Sequence, residues 1–149
     1  MTPVRVVIAD DNALFREMIT DNLSLTGDIL VVGTAANGAE ALEMVKTLAP
    51  DVLICDLVMP RVDGYVVLER LAGLDLPKRP GVIAITALRR EDFVARAVSL
   101  GVSDYMLKPL NFPVLAQRVR ELAEKSRRTE AASLFLQMDC LPEDSEWLG

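Results

Sequence analysis

Val52-Leu53-Ile54-Cys55-Asp56 is a short apolar run that ends in a carboxylate, and residues 6–11, Val-Val-Ile-Ala-Asp-Asp, repeat that arrangement. Two further runs end in other polar groups, residues 82–86 in a threonine and residues 105–108 in a lysine. Short runs of Val, Ile and Leu that are bounded by turn signals are typical of buried parallel strands. The carboxyl ends of parallel strands lie at one edge of a sheet, where ligands of open α/β sheets bind. The four polar ends are therefore predicted to share one crevice.

Helical patterns separate these runs, so the chain alternates strand and helix five times. The expected strands are Val4–Ala9, Ile29–Thr34, Val52–Cys55, Val82–Ile85 and Asp104–Leu107. The expected helices lie at Asn12–Leu25, from Asn37 or Gly38 to Pro50, at Tyr65–Leu71, at Glu91–Leu100 and from Phe112 onward. Such alternation favours an α/β fold with helices on both faces of a parallel sheet. We predict a flavodoxin-like (βα)5 doubly wound parallel five-stranded sheet of strand order 2-1-3-4-5, in which strands one and three meet at the switch point.

The composition excludes several kinds of site. The chain has no histidine, so it carries neither a histidine base, nor a histidine zinc ligand, nor a phosphohistidine. Its net charge of −6 argues against direct binding of nucleic acid, because phosphate backbones need a basic face. No apolar run approaches the ~18 residues of a membrane span, and the N-terminus lacks a secretory signal pattern. We expect a cytoplasmic protein that does not contact a membrane.

Each polar residue of the predicted crevice also has an ordinary structural interpretation. Asp10 or Asp11 could cap the following helix, Asp56 could be a loop residue, Thr86 could be strand filler, and Lys108 could face water. Their coincidence at four strand ends favours a shared chemical role instead. Two adjacent carboxylates buried near a third would repel one another. A bound Mg²⁺ would relieve that repulsion and would also reach phosphate oxygens.

The chemistry of these groups predicts a role for each. Asp56 is the predicted nucleophile, since a carboxylate that attacks phosphorus forms an aspartyl phosphate. Lys108 is expected to contact the phosphoryl group as a point charge, and Thr86 is expected to hydrogen-bond to it. The predicted metal ligands are three carboxylates and one carbonyl, namely Asp10, Asp11, Asp56 and the backbone carbonyl oxygen of Val58.

The same residues resemble the receiver domain of two-component response regulators. The matching motifs are Ile8-Ala-Asp-Asp-Asn12, Ile54-Cys-Asp-Leu-Val-Met-Pro-Arg-Val-Asp-Gly64, Ile85-Thr-Ala87 and Tyr105-Met-Leu-Lys-Pro109. The resemblance covers about Val4 to Glu124. It implies a CheY-like fold, Mg²⁺, and phosphoryl transfer from a histidine kinase or a histidine phosphotransfer protein. It also implies that Thr86 and Tyr105 form a switch that changes the face of helix four, strand five and helix five.

That face is predicted to control formation of a homodimer or the activity of a transcriptional effector. Residues 68–71, 85–92 and 97–101 are in addition similar to the receivers of the sporulation master regulators of endospore-forming bacteria. Residues 1–124 are predicted to form the receiver domain. Residues 125–149 are predicted to be a helical extension or linker, with the start of a truncated C-terminal DNA-binding domain. DNA would be bound only through that missing effector domain.

Two apolar residues are predicted to tune the lifetime of the phosphoryl group. Val58 follows Asp56 by two residues, and Leu88 follows Thr86 by two residues. Members of the family often carry polar groups there. The apolar side chains are predicted to shield the aspartyl phosphate from attacking water.

Two other functions remain open. A Mg²⁺-dependent hydrolase would use Asp56 as a nucleophile with turnover, but Leu57-Val58 supplies no second acid–base group. A receiver-shaped interaction module would work without phosphate, but the intact acidic set argues against it. We therefore predict a switch in a two-component system or phosphorelay. It is not expected to be an enzyme beyond its own phosphorylation and dephosphorylation.

Overall fold

The fold is a parallel five-stranded sheet with helices on both faces. The computed structural model describes residues 2–59, 62–87 and 91–139. The strands are β1 (Val4–Ala9), β2 (Ile29–Ala35), β3 (Val52–Asp56), β4 (Gly81–Thr86) and β5 (Asp104–Leu107). The helices are α1 (Ala13–Ser24), α2 (Gly38–Leu48), α3 (Gly64–Gly73), α4 (Glu91–Ser99) and α5 (Phe112–Asp139). The strand order β2-β1-β3-β4-β5 confirms the predicted topology.

The central strands are apolar throughout because both faces of the sheet are covered. Val7 of β1 and Leu53 of β3 belong to the core packed under α2 and α3. Their neighbours Ile8 and Ile54 belong to the core packed under α1 and α5. All four side chains are fully buried. Alternation along each strand thus fills two cores at once, which explains the continuous apolar runs in the sequence.

Three strands, β2, β3 and β4, are one residue longer at the carboxyl edge than the sequence predicted. Asp56 is the last residue of β3 and Thr86 is the last residue of β4. The hydrogen-bond ladder continues past the apolar residues, because the Leu57 N–H donates to the Ile85 carbonyl at 3.0 Å. The Lys108 N–H donates to the Thr86 carbonyl at 2.8 Å in the same way. The polar residues are therefore fixed by sheet hydrogen bonds rather than by loops.

Helix α5 is continuous across the position at which the sequence predicted a domain boundary. It runs over 28 residues and passes residue 124 without a break. The Arg127 guanidinium donates to the carbonyls of Thr2 and Pro3, both at 3.3 Å, which ties this part of α5 to the start of β1. The division at residue 124 stays a prediction, and residues 140–149 of the predicted extension lie outside the described residues. Within the described ranges, no helix is both long and apolar enough to cross a membrane.

Candidate phosphoacceptor site

The carboxyl edge of the sheet brings together the polar residues that the sequence placed at strand ends. Asp10 follows β1 and is fully buried, while Asp56 is only 5% exposed at the end of β3. Thr86 is buried at the end of β4, and Lys108 follows β5. Asp11 is exposed, in contrast to the expectation that both adjacent carboxylates are buried. The crevice therefore has a buried floor and one aspartate at its rim.

The side chain of Lys108 joins the two buried carboxylates. Its Nζ donates to Oδ2 of Asp10 at 2.8 Å and to Oδ2 of Asp56 at 2.9 Å. The lysine side chain is 22% exposed, so it is not fully enclosed by the described residues. The Lys108-Pro109 peptide bond is cis. Among the described residues, this one ammonium pairs with both buried carboxylates.

The electrostatics of this group follow from burial and hydrogen bonding. Burial disfavours the charge on Lys108, but hydrogen bonds to Asp10 and Asp56 outweigh it and raise the pKa of the lysine above its ordinary value. Burial raises the pKa of Asp56, and the Val58 N–H and the Lys108 ammonium oppose that rise. The ammonium therefore remains a permanent positive charge. Burial disfavours the charged form of Asp56, and a further cation nearby would stabilise that form.

Backbone N–H groups orient the two buried carboxylates. The Asn12 N–H donates to Oδ1 of Asp10 at 2.9 Å, and the Val58 N–H donates to Oδ1 of Asp56 at 3.0 Å. Asn12 itself caps α1, because its side chain accepts from the Phe15 N–H. Neither Asp10 nor Asp11 caps the helix, so that alternative interpretation is excluded. Both buried carboxylates point into the crevice with one backbone donor and one ammonium donor each.

The aspartates are spaced as a possible metal site. Carboxylate oxygens of Asp10, Asp11 and Asp56, one from each residue, all lie within 4.8 Å of one another. This donor set consists only of oxygen atoms, which are the ligands preferred by Mg²⁺ and Ca²⁺ rather than by soft transition metals. The three aspartates together therefore suit a small, hard divalent cation. They are the three residues predicted as carboxylate ligands, and their role as ligands stays a prediction.

The start of α3 approaches Asp56 closely at Gly64. A Cβ atom at this position would lie 2.4 Å from the carbonyl oxygen of Asp56, so only glycine fits without displacement of the backbone. The Gly64 N–H donates to the Leu57 carbonyl at 3.2 Å. Asp63, the residue before it, caps α3 by accepting from the Val66 N–H. Asp63 and Gly64 thus begin α3 directly beside the backbone of Asp56 and Leu57.

Thr86 and Tyr105 lie on one face of the sheet. Thr86 of β4 pairs with Leu107 of β5. Ala84, which lies two residues before Thr86 on β4, pairs with Tyr105. Paired residues of adjacent strands, and alternate residues of one strand, project from the same face. Tyr105 is partly buried against the core under α2 and α3, and this burial raises the pKa of its phenol. Leu88, the second predicted shielding residue, lies outside the described residues.

One contact of the site was missed by the sequence interpretation. The Lys108 Nζ lies over the ring of Phe15, 4.3 Å from its centroid. Phe15 lies in the predicted helix Asn12–Leu25, to which the sequence assigned no role in the site. Helical periodicity identifies the buried side of a helix, but it does not reveal a partner 93 residues away in the chain.

Comparison with known proteins identifies the family to which this fold and site belong. Residues 6–120 match the family model described as the response regulator receiver domain. The signal receiver domain of NarL from Mycobacterium tuberculosis is 36% identical, with a TM-score of 0.78, and the match covers 83% of this chain and 98% of that domain. The receiver domain of AraT, a response regulator from Geobacillus stearothermophilus, is 34% identical, with a TM-score of 0.74 and coverage of 85% and 98%.

A third similar structure is a chain of the CheX–CheY–BeF3–Mg²⁺ complex from Borrelia burgdorferi. It is 28% identical, with a TM-score of 0.73, and the match covers 81% of this chain and 90% of that one. The matched region of the family model contains every residue of the crevice described above. The chain therefore belongs to the response regulator receiver domain family of two-component systems.

Proposed function

We propose that this chain accepts a phosphoryl group on Asp56 with the help of Mg²⁺ and uses it as a signal. The donor is the phosphohistidine of a histidine kinase or of a histidine phosphotransfer protein. The sequence contains no histidine, so a phosphohistidine donor has to belong to another protein. Family membership supports a phosphorylation-dependent switch of this kind.

The observation that carries the proposal is the ammonium shared by two buried carboxylates. A buried Asp56 bound to Lys108 lies beside two more aspartates whose oxygens are within 4.8 Å. Such an arrangement is costly for the fold unless cations compensate it. Phosphoryl transfer needs little beyond positioning and neutralisation of charge, and these residues supply both.

Mg²⁺ fits the oxygen-only donor set of Asp10, Asp11 and Asp56. The backbone carbonyl of Val58, two residues past the acceptor, is the proposed fourth protein ligand. When bound, the ion neutralises charge on the transferring phosphoryl oxygens. A similar chain comes from a complex that contains Mg²⁺ and BeF3, which supports the choice of ion.

In the transfer step, a lone pair of an Asp56 carboxylate oxygen attacks phosphorus. A new O–P bond forms, the N–P bond of the donor phosphohistidine breaks, and the imidazole nitrogen keeps the electron pair of that bond. Lys108 shifts its hydrogen bond from Asp56 to a phosphoryl oxygen. Thr86 donates its hydroxyl hydrogen to another of these oxygens. The backbone N–H of Val58 holds the acceptor in place.

The added phosphoryl group brings roughly two negative charges and three acceptor oxygens. Movement of Thr86 toward this group frees space on the face of the sheet that Tyr105 shares, and Tyr105 then turns inward. The resulting change on the surface formed by α4, β5 and α5 controls homodimerisation or a transcriptional effector. A role in sporulation rests on the sequence likeness alone and stays a prediction.

The test is to incubate the chain with Mg²⁺ and acetyl phosphate and to record its intact mass beside an Asp56→Asn variant. Acetyl phosphate supplies the phosphoryl group with loss of acetate. The proposal expects a single phosphoryl adduct that requires Mg²⁺ and is absent from the variant. An adduct of equal yield in Asp56→Asn, or none in the native chain, overturns it.

A further inference from the structure

We propose that Phe15 is a positioning residue for Lys108, and that its aromatic ring keeps the ammonium in place when the phosphoryl group arrives. This inference rests on the proposed function. It adds a residue of α1 to a site that the sequence placed at the strand ends alone. The ring acts through Lys108 and does not itself touch the phosphoryl group.

Within the described part of the chain, the ammonium of Lys108 contacts three side chains in the crevice. Two are carboxylate oxygens of Asp10 and Asp56, at 2.8 and 2.9 Å. The third is the face of the Phe15 ring, whose centroid lies 4.3 Å from Nζ. A cation within about 6 Å of a ring centroid is attracted by the negative face of the ring. The ring therefore forms one side of the ammonium's binding position.

Phe15 is held in this place by its own helix and by the core. Its N–H donates to Oδ1 of Asn12 at 3.0 Å, so it lies in the capped first turn of α1. Its side chain is partly buried and packs against the core under α1 and α5. That core includes Ile8 and Ile54, which belong to the strands that carry Asp10 and Asp56. The ring is thus tied to the same strands as the carboxylates.

The aromatic contact differs from the other two because the reaction does not use it. Asp56 gives up its hydrogen bond from Lys108 when it becomes phosphorylated, and Asp10 is needed as a metal ligand. A lysine side chain has four rotatable bonds and a strongly hydrated head, so it leaves a weakly held position easily. The neutral ring of Phe15 neither titrates nor binds the ion. It can hold the ammonium before, during and after transfer.

The sharpest test changes the electrostatics of the ring with little change in its shape. Site-specific incorporation of mono-, di- and trifluorophenylalanine at position 15 weakens the negative face of the ring step by step. We expect the rate constant of adduct formation with acetyl phosphate and Mg²⁺ to fall progressively, by about 2- to 30-fold over the series. Phe112 is the matched control, because it is also partly buried against the same core. Its fluorination should leave the rate unchanged.

Natural amino acids provide a second, independent test. Phe15→Leu keeps apolar volume without a π face and should slow adduct formation by a similar factor, whereas Phe15→Tyr should restore the native rate. In a Lys108→Met background, Phe15→Leu should have no further effect if the ring acts through the ammonium. The NMR signals of the Lys108 ε-methylene should also lose a ring-current shift in Phe15→Leu.

The outcomes separate the two proposals. If the native chain forms no adduct, the proposed function fails, and the positioning role fails with it. If the native chain forms the adduct while the fluorinated proteins and the Phe15→Leu variant react at the native rate, only the role of Phe15 is overturned. An equal loss of rate from Phe15→Leu with and without Lys108 also overturns it, because the effect would then be structural.

Discussion

The ammonium of Lys108 lies 2.9 Å from Oδ2 of Asp56, although 52 residues separate them in the chain. The contact exists because β3 and β5 end at the same edge of the sheet, on either side of β4. The same ammonium lies 2.8 Å from Asp10, which follows β1. One lysine therefore links the ends of three strands. Removal of this lysine should therefore slow phosphoryl transfer more than it destabilises the fold.

The first prediction concerns that lysine. Lys108→Met keeps most of the apolar stem but removes the charge, so it should slow formation of the phosphoryl adduct by about 10²-fold, the usual effect of losing one preorganised charge or donor. The measurement is the rate of adduct formation by intact mass at saturating Mg²⁺. Lys46→Met, at an exposed position of α2, is the control and should react at the native rate. Equal rates in both variants would exclude a role for Lys108.

The second prediction concerns the exposed aspartate at the rim. Asp11→Asn should weaken Mg²⁺ binding at least about tenfold. In the absence of metal it should raise the free energy of unfolding by about 0.5–1 kcal/mol, because it removes repulsion between charges less than 5 Å apart. Calorimetric titration and urea unfolding in a chelator measure the two effects. Asp75→Asn, in the exposed loop between α3 and β4, should change neither. Native Mg²⁺ affinity in Asp11→Asn would remove it from the ligand set.

The third prediction concerns the lifetime of the phosphoryl group. Val58 is 53% exposed, and its N–H donates to Oδ1 of Asp56. Val58→Asn places a polar group that can orient water beside Asp56, so it should speed hydrolysis of the aspartyl phosphate several-fold, which is well below the roughly 10²–10⁴-fold effect of a positioned general acid or base. Decay of the adduct after removal of acetyl phosphate measures this. Leu30→Asn, similarly exposed on β2, should decay at the native rate. An unchanged lifetime in Val58→Asn would contradict shielding by this residue.

The sequence predicted the topology and the residues of the crevice because both depend on short, regular patterns. Apolar runs that end in Asp10, Asp56 and Thr86 identify strand ends, and parallel strands bring such ends together. The Lys108–Phe15 contact could not be predicted, since it depends on how α1 packs over the loop after β5. The exposure of Asp11 was also missed, because adjacent residues in a loop need not share an environment.

The fourth prediction concerns stability at the opposite edge of the sheet. Asp51 precedes β3 and is buried, and its Oδ2 accepts from the Arg5 N–H at 2.8 Å. Lys78 contacts its other oxygen, and Arg127 lies 3.8 Å from Oδ2. Burial alone would raise the pKa of Asp51, but these donors and charges outweigh it and hold the pKa below 3.8. The Asp51 carboxylate therefore stabilises the fold above pH 3.8, and that contribution is lost as the pH falls through the lower pKa of the folded state.

Asp51→Asn should accordingly lower the free energy of unfolding by roughly 1–3 kcal/mol at pH 7. The difference from the native chain should be the same at pH 5 and should shrink at pH 3. Urea unfolding at the three pH values measures it, with Asp75→Asn as the exposed control. A difference that stays constant down to pH 3 would mean that the charge of Asp51 contributes nothing to stability.

The last prediction concerns the end of α2. Ala49 caps this helix with φ = 46° and ψ = 60°, in the left-handed region that favours glycine. The Arg5 guanidinium donates to its carbonyl at 3.1 Å and to that of Leu48 at 2.6 Å, so the surrounding structure holds the backbone there. Ala49→Gly should relieve the strain and raise the free energy of unfolding by up to about 1 kcal/mol.

The matched control places the same substitution in an ordinary helical position. Ala95 is exposed within α4, and Ala95→Gly should lower the free energy of unfolding by about 1 kcal/mol. Urea unfolding of both variants measures the contrast in sign. Glycine also loosens the unfolded chain, which subtracts from the gain at position 49 but adds to the loss at position 95. If Ala49→Gly were as destabilising as Ala95→Gly, the left-handed cap would cost the native chain nothing.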